Sequence, residues 1–318
     1  MPLVSVVLSF RNEAENIPVL VARLTAMFAG QGVDYELIFV NDASTDRSLE
    51  VLAAERQLNP RVRVLNLSRR FGVAEGVLAG MSAASGDAIV YMDADLQDPP
   101  EVIPELLARW RAGADVVHTV RTRRHGESPT KMFATRIAYR IIQYGSSIEL
   151  PVDAGDFKLL SRKAVDRLLQ LRETDPYLRG LVVWLGYTQV LVSYERDARH
   201  AGRTHFPIFS RNPWKTFALG LTSFSFMPIY VCLALSAMGA LTAAVLLFTA
   251  SSMAAFFVFL WSLLMAAVAV VGIYVIRIYK DVRGRPPFIV ESRIGFDDSR
   301  SHELERAARA VGVGPHTH

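Results

Sequence analysis

The sequence predicts an α/β domain with a mostly parallel sheet, followed by a pair of membrane-spanning helices. Three observations predict it. Short β-branched runs alternate with amphipathic stretches across residues 3–120, the pattern of a sheet covered by helices on both faces. Polar or acidic turns close the first, second and fourth of those runs, at Asn12, Asp42 and Asp93. Finally, residues 216–276 contain no Asp, Glu, Lys, Arg or His, enough for two spans of about 20 residues each.

Residues 3–9 form a β-branched run that reads as a buried strand. After the polar turn 12–16, Ile17, Leu20, Val21, Leu24 and Met27 recur at helical spacing until Gly30 and Gly32 stop the helix. Residues 35–40 are the second strand, and a helical pattern from Asp46 runs through Leu49, Leu52 and Leu58. Residues 61–67 make a third strand, 71–84 a helix and 88–92 a fourth strand that the Pro99-Pro100 pair prevents from continuing. A helix over 101–111 and a fifth strand over 114–120 complete the alternation. In such sheets ligands bind beyond the carboxyl ends of the strands, where Asn12, Asp42 and Asp93 fall.

Composition narrows the partners. The chain has 318 residues, is 51% hydrophobic and has a mean hydropathy of +0.23, high for a soluble protein and concentrated in 216–276. The net charge of +4 and pI near 9.3 come without an aromatic-interleaved basic patch, so a membrane surface is expected and nucleic acid is not. Cys232 is the single cysteine, which excludes a disulfide framework and a Cys-based metal site. The N-terminus has no basic leader or cleavage site, so the polar front is expected in the cytoplasm.

The chemistry centres on Ile-Val-Tyr-Met-Asp-Ala-Asp-Leu-Gln-Asp-Pro-Pro at 89–100. Residues two apart on a strand share a face, so Asp93, Asp95 and, if the extension persists, Gln97 converge on one point. Oxygen ligands of this kind suit Mg²⁺ or Mn²⁺, which complete their shells with substrate phosphates. The alternative is an acidic solvated turn. No Gly-x-Gly-x-x-Gly follows the first strand and no Walker A loop exists, so a nucleotide would be held by acids and a metal.

Residues 4–13, Val40-Asn41-Asp42-Ala43-Ser44-Thr45-Asp46, Leu67-Ser68-Arg69-Arg70-Phe71-Gly72 and 93–100 together resemble the family 2 inverting glycosyltransferases of GT-A, Rossmann-like fold. Within that group Ala154-Gly155-Asp156-Phe157-Lys158-Leu159, Leu178-Arg179-Gly180-Leu181 and Tyr194-Glu195-Arg196 resemble the polyprenyl-phosphate glycosyltransferases, which include dolichyl-phosphate mannose synthases and bactoprenol glucosyltransferases. The likeness covers about residues 3–290. It implies a nucleotide-sugar donor held by Ser9, Arg11, Glu13, Asp42, Arg69 and Asp93, with Asp42 at the base. It further implies a metal on Asp93, Asp95 and Gln97, a catalytic Asp156, a polyprenyl phosphate acceptor and a homotetramer. The plain reading of Asp156 is a turn Asp capping the next segment.

The chain also departs from that family. Ser9 and Arg11 stand where Pro and Tyr are frequent, leaving a guanidinium to stack on the base. Ala43 replaces a frequent Gly, so its turn is expected to avoid positive φ. Around 201–206 the usual run of acid, hydroxyl and Lys reads Arg203, Thr204 and His205, with the cation displaced to Arg203. Over 128–148, Phe133, Ile137, Ile141 and Tyr144 form a stripe flanked by Lys131, Arg136 and Arg140. This reads either as a membrane-interface helix or as an ordinary helix packed on the sheet. Arg121, Lys131, Arg136 and Arg203 are the candidate contacts to the acceptor phosphate.

The expected organisation is a cytoplasmic GT-A domain over 1–210, an interface helix over 211–226, spans at 227–249 and 254–276, and a polar tail over 277–318, disordered beyond Val290. Arg211 and Lys215 before the spans and Arg277, Lys280, Arg283 and Arg285 after them place both flanks in the cytoplasm. The expected function is inverting transfer of one sugar, from UDP-glucose first and GDP-mannose second, to a polyprenyl phosphate at the inner membrane. Two rivals are a processive polysaccharide synthase and a noncatalytic sugar-nucleotide-binding anchor. The first wants Gln-x-x-Arg-Trp, and Leu106 stands where Gln is needed before Arg109-Trp110.

Overall fold

A computed structural model describes residues 1–124, 151, 154–171, 173–196, 223, 227–249 and 253–296. The expected alternation is present: β1 (Leu3–Phe10), α1 (Asn16–Phe28), β2 (Asp34–Asn41), α2 (Ser48–Leu58), β3 (Val62–Leu67), α3 (Val73–Ala83) and β4 (Ala88–Asp93). A single 3₁₀ turn at Pro100–Val102 then leads into α4 (Ile103–Arg111) and β5 (Val116–Arg124). Beyond it come β6 (Ala154–Ser161), α5 (Arg162–Leu168), α6 (Leu178–Trp184), β7 (Gln189–Arg196), α7 (Met227–Thr249), α8 (Met253–Val282) and β8 (Val290–Ile294).

All eight strands join one sheet in the order β7-β5-β6-β4-β1-β2-β3-β8. Pairing is parallel from β4 through β1 and β2 to β3, and again between β5 and β7. β6 is antiparallel to both β4 and β5, and β8 is antiparallel to β3. The mostly parallel sheet is therefore correct, but β5 does not pair with β4; β6 lies between them. This reversal brings the start of β6 to the carboxyl end of β4.

The alternation of side chains along each strand divides the core. On one face Val4, Val6, Leu8 and Phe39 pack with Ile17, Leu20 and Leu24 of α1, Leu52 of α2 and Leu106 of α4. On the other, Val7, Val40, Ile89 and Leu160 pack with Val77 and Met81 of α3, Val165 of α5 and Leu181 and Val182 of α6. Each such buried apolar side chain contributes about 1.5–3 kcal/mol relative to exposure.

One expectation about the carboxyl-terminal part needs correction. The helix that holds the expected span 254–276, α8, continues to Val282. The segment beyond Val290 does not leave the fold as a polar tail: Val290–Ile294 is β8, and Phe288, Val290 and Phe296 pack on the second core layer. The reason lies in alternation too short to stand out, namely apolar Val290 and Ile294 enclosing polar residues. In α8, Phe259–Val282 is long and apolar enough to cross a membrane, about 36 Å at ~1.5 Å per residue. α7 packs along it so closely that a Cβ on Gly239 would lie 3.0 Å from Leu263 Cδ2.

Candidate active site

Among the described residues only Asn12 (φ 58°), Ala43 (φ 52°) and Leu96 (φ 60°) are non-glycine residues in the left-handed region. Each sits just beyond the end of β1, β2 or β4. Such a conformation costs on the order of 1–3 kcal/mol per residue, and it persists where neighbours over-determine it. The expectation that Ala43 avoids positive φ is therefore wrong. The turn is held from outside: Ser44 N–H donates to Asn41 Oδ1 (2.9 Å), Thr45 N–H to Asn12 Oδ1 (2.8 Å) and Asn12 N–H to Ser44 Oγ (3.0 Å). Two adjacent strand-end loops are thus locked together.

Around these loops the predicted donor residues divide into groups. Asp42 is buried, and its Oδ1 accepts from Phe71 N–H (2.6 Å) while its carbonyl accepts from Arg11 Nη1 (3.0 Å). The Arg69 guanidinium lies 3.9 Å from the Phe71 ring centroid. Asp42, Arg11, Arg69 and Phe71 therefore form one connected group at the end of β2. Glu13 is buried and accepts from Asn16 Nδ2 (2.5 Å), tying down the turn into α1. Ser9 is buried with its hydroxyl against Gly76 of α3. These two brace the loop from beneath.

β4 ends at Asp93, and Leu96 turns left-handed, so the extended run meant to align Asp93, Asp95 and Gln97 stops before Gln97. Instead Gln97 N–H donates to Asp95 Oδ1 (3.1 Å), closing a tight turn. Burial, then the negative charges of Asp95, Asp98 and Asp156, push the Asp93 carboxyl up to about 7. Among the described residues no three His, Cys, Asp or Glu side chains are grouped to hold a metal by themselves. Two carboxylates are nonetheless the donor set that Mg²⁺ or Mn²⁺ uses when diphosphate oxygens and water supply the rest.

Asp98 escaped notice in the sequence. It is fully buried, accepts from the Tyr194 hydroxyl, and faces the guanidinium groups of Arg121 (3.8 Å) and Arg196 (3.4 Å). Arg121 also donates to Tyr194 Oη (3.1 Å), and a Cβ at position 155 would lie 2.9 Å from its Nη2, so Gly155 makes room for it. Arg121, expected from sequence to contact the acceptor phosphate, is thereby engaged within the protein. The cause is the buried Asp98, whose charge needs compensation.

Asp156 lies inside β6, so it caps no turn. Its carboxylate receives a two-pronged contact from Arg179 of α6, Nε to Oδ1 at 2.7 Å and Nη2 to Oδ2, with the Asp156 side chain 31% exposed. Burial raises its pKa, but Arg179, Lys158 and Arg121 outweigh burial and hold the carboxyl well below the usual carboxylate range. One layer deeper, Tyr91, Lys158 and His118 face one another across β4, β6 and β5. Burial pushes Lys158 down to about 8 against the pull of Asp156. Burial and then the charge of Lys158 push His118 down to about 4, and its Nε2 meets Gln189 Oε1 at 2.7 Å.

Lys131, Arg136 and Arg203 lie outside the described residues, as do the expected interface helices over 128–148 and, apart from residue 223, over 211–226. Arg179, missed as a site residue, stood within Leu178-Arg179-Gly180-Leu181, but nothing local in that stretch names Asp156 as its partner. The pairing spans 23 positions of sequence.

Known proteins are similar to this chain. The sequence profile described as Glycosyl transferase family 2 matches residues 5–169. An uncharacterized glycosyltransferase of Bacillus subtilis (strain 168) is 36% identical over 310 residues, 93% of this chain and 95% of that one. The SfII prophage-derived bactoprenol glucosyl transferase of Shigella flexneri is 32% identical over 305 residues, 91% of this chain and 97% of its own length. Glucosyl-3-phosphoglycerate synthase from Mycobacterium tuberculosis, solved with Mn²⁺, UDP-glucose and phosphoglyceric acid, is similar at a TM-score of 0.47 and 22% identity, covering 63% of this chain and 73% of that one. From the profile and the near full-length relatives together, the chain is a glycosyltransferase and belongs to glycosyl transferase family 2.

Proposed function

We propose that this glycosyltransferase moves a single sugar from a nucleotide sugar, UDP-glucose first and GDP-mannose second, to a polyprenyl phosphate, with inversion. The observation that carries the reading is the Asp156–Arg179 pair at the same sheet end as Asp93 and Asp95. A carboxylate held ionised by Arg179 is a poor general base. It suits an acceptor that is already an anion, which needs orientation rather than deprotonation. A sugar hydroxyl, the acceptor of a processive synthase, needs its proton removed. The near full-length similarity to a bactoprenol glucosyl transferase supports the same choice.

In this reading Asp42, Arg11 and Arg69 hold the nucleotide end of the donor, and Asp93 and Asp95 hold Mg²⁺ or Mn²⁺. Such a cation, when bound there, would offset the negative charge that grows on the departing diphosphate. An acceptor phosphate oxygen bonds to the anomeric carbon from the face opposite that diphosphate, and the bond to the diphosphate oxygen breaks. Asp156 and Arg179 fix the approach, with no proton changing hands. Lys131, Arg136 and Arg203 gather the lipid phosphate.

The chain leaves the sheet after β7 and returns to it at β8, so any path through a bilayer crosses it an even number of times. With α8 as one span, α7 is the natural second. The basic residues Arg277, Lys280, Arg283 and Arg285 support a cytoplasmic side for the returning end and, with it, the catalytic domain. Purified full-length protein incubated with a panel of labelled nucleotide sugars and a polyprenyl phosphate tests the proposal. One glycosylated lipid phosphate per turnover is expected. Growth of a glycan chain, or donor binding without transfer, would replace it.

A further inference from the structure

α8 does not end free of the domain. The N–H of Thr174 donates to Asp281 Oδ1 (2.9 Å) and its hydroxyl to the Lys280 carbonyl (3.0 Å). Arg277 meets Glu173 at 3.3 Å, and Lys280 pairs with Asp175. Every residue of the stretch 173–175 is therefore gripped by the last turns of the apolar helix. The chain then passes through Pro176, whose φ is fixed by its ring, and the buried Tyr177 into α6, which carries Arg179 to Asp156. α6 has only 7 residues, too short to hold its own place. Its position depends on what grips it at either side, the core layer under Leu178, Leu181 and Val182 and the clamp on 173–175.

We propose that the end of α8 is a positioning element of the active site: through Glu173, Thr174 and Asp175 it sets α6 and thereby aims Arg179 at Asp156. The anchor then does more than retain the enzyme at a membrane. The inference rests on the reading of Asp156 as the residue that orients the acceptor. Glu173, Asp175, Arg277 and Lys280 act through Arg179 and touch no substrate.

The test uses the full chain in lipid nanodiscs, as Asp175→Lys, Lys280→Asp and the charge-swapped double variant. Each single variant should lower kcat by about tenfold or more, because small misplacements of orienting groups are costly to rate. KM and calorimetric affinity for UDP-glucose should stay near wild type, which also controls for folding. Amide exchange across 178–184 should quicken in the singles, and the double variant should recover both exchange and kcat. Asp175→Lys leaves the apolar helix untouched, so its behaviour is independent of any insertion defect. Unchanged kcat and exchange in the singles would overturn the inference, as would a double variant as slow as the singles with donor binding intact. Wild-type protein that transfers nothing to a lipid phosphate would instead sink the functional reading, while exchange across 178–184 would still report on the clamp.

Discussion

Asp156 and Arg179 behave as one group, and substitution should separate binding from chemistry there. Asp156→Asn keeps the shape, removes the charge and leaves Asp42, Asp93 and Asp95 in place. Donor affinity should barely move, while single-turnover transfer should fall by about 10²-fold or more, as for an interaction made mainly in the transition state. Calorimetric titration beside quenched-flow transfer decides it; transfer near wild type would leave Asp156 structural. Asp95→Asn is the counterpart on the donor side. Asn can still accept from Gln97 N–H, so the turn survives and only a charge is lost. Turnover should drop by about 10²-fold or more, and full activity of this variant in chelator would end the metal assignment. His118 gives a pH signature. Its pKa, about 4 in the fold, lies below the ordinary 6.5, so folding favours the neutral ring. That stability is complete above about pH 6.5 and drains away as pH falls toward about 4, roughly 2 kcal/mol between about pH 7 and pH 5. His118→Gln should flatten the acid limb of a melting-temperature profile, and an unchanged limb would show that another group titrates there. The acids were legible in the sequence because they sit at strand ends where hydrophobic runs stop. Asp98 and Arg179 were not, since their partners lie 96 and 23 positions away and no local pattern encodes a distant ion pair.

At the scale of elements, periodicity served well wherever one face of a helix or strand is buried. The first nine elements, from β1 to β5, follow from it with boundaries off by a few residues. It failed at β6, whose residues were recognised as a motif but not as a strand, because a chain reversing direction between β4 and β5 leaves no trace in hydrophobic spacing. Ala43 shows a related blind spot. A positive φ is set here by Asn41, Asn12 and Ser44 reaching across from neighbouring segments, whereas the residue type alone argues against it. For α7 and α8 the uncharged stretch gave the location, and the length and apolar character of Phe259–Val282 in α8 are enough to cross a membrane. In a variant with Cys232 replaced by Ser, a cysteine at Met253 should react with an impermeant maleimide added outside cells. One at Arg283 should react only after permeabilisation. The opposite pattern would invert the orientation, and labelling of both from one side would dissolve the hairpin.

On the scale of the whole molecule, β8 closes the sheet against β3, and Asn66 joins it to Glu291 across 225 positions (2.9 Å). The same Asn66 accepts from Asn41 Nδ2 (2.7 Å), which holds the turn beside Asp42. A fragment ending at residue 210 should therefore expose the β3 edge, lose the cover of Phe288 and Phe296, and self-associate. Light scattering beside donor titration measures both defects; a monodisperse fragment with wild-type donor affinity would show that β8 is dispensable. The late arrival of β8 also has a meaning in time. At roughly 5–20 residues per second, about ten to forty-five seconds of synthesis separate β3 from its last neighbour. During that interval α7 and α8 emerge from the ribosome, so the sheet waits, open at one edge, until its apolar helices have been made. The order of translation thus makes the finished sheet edge beside Asp42 a product of chains whose apolar helices already exist, and a ribosome stalled before residue 290 releases a chain without β8.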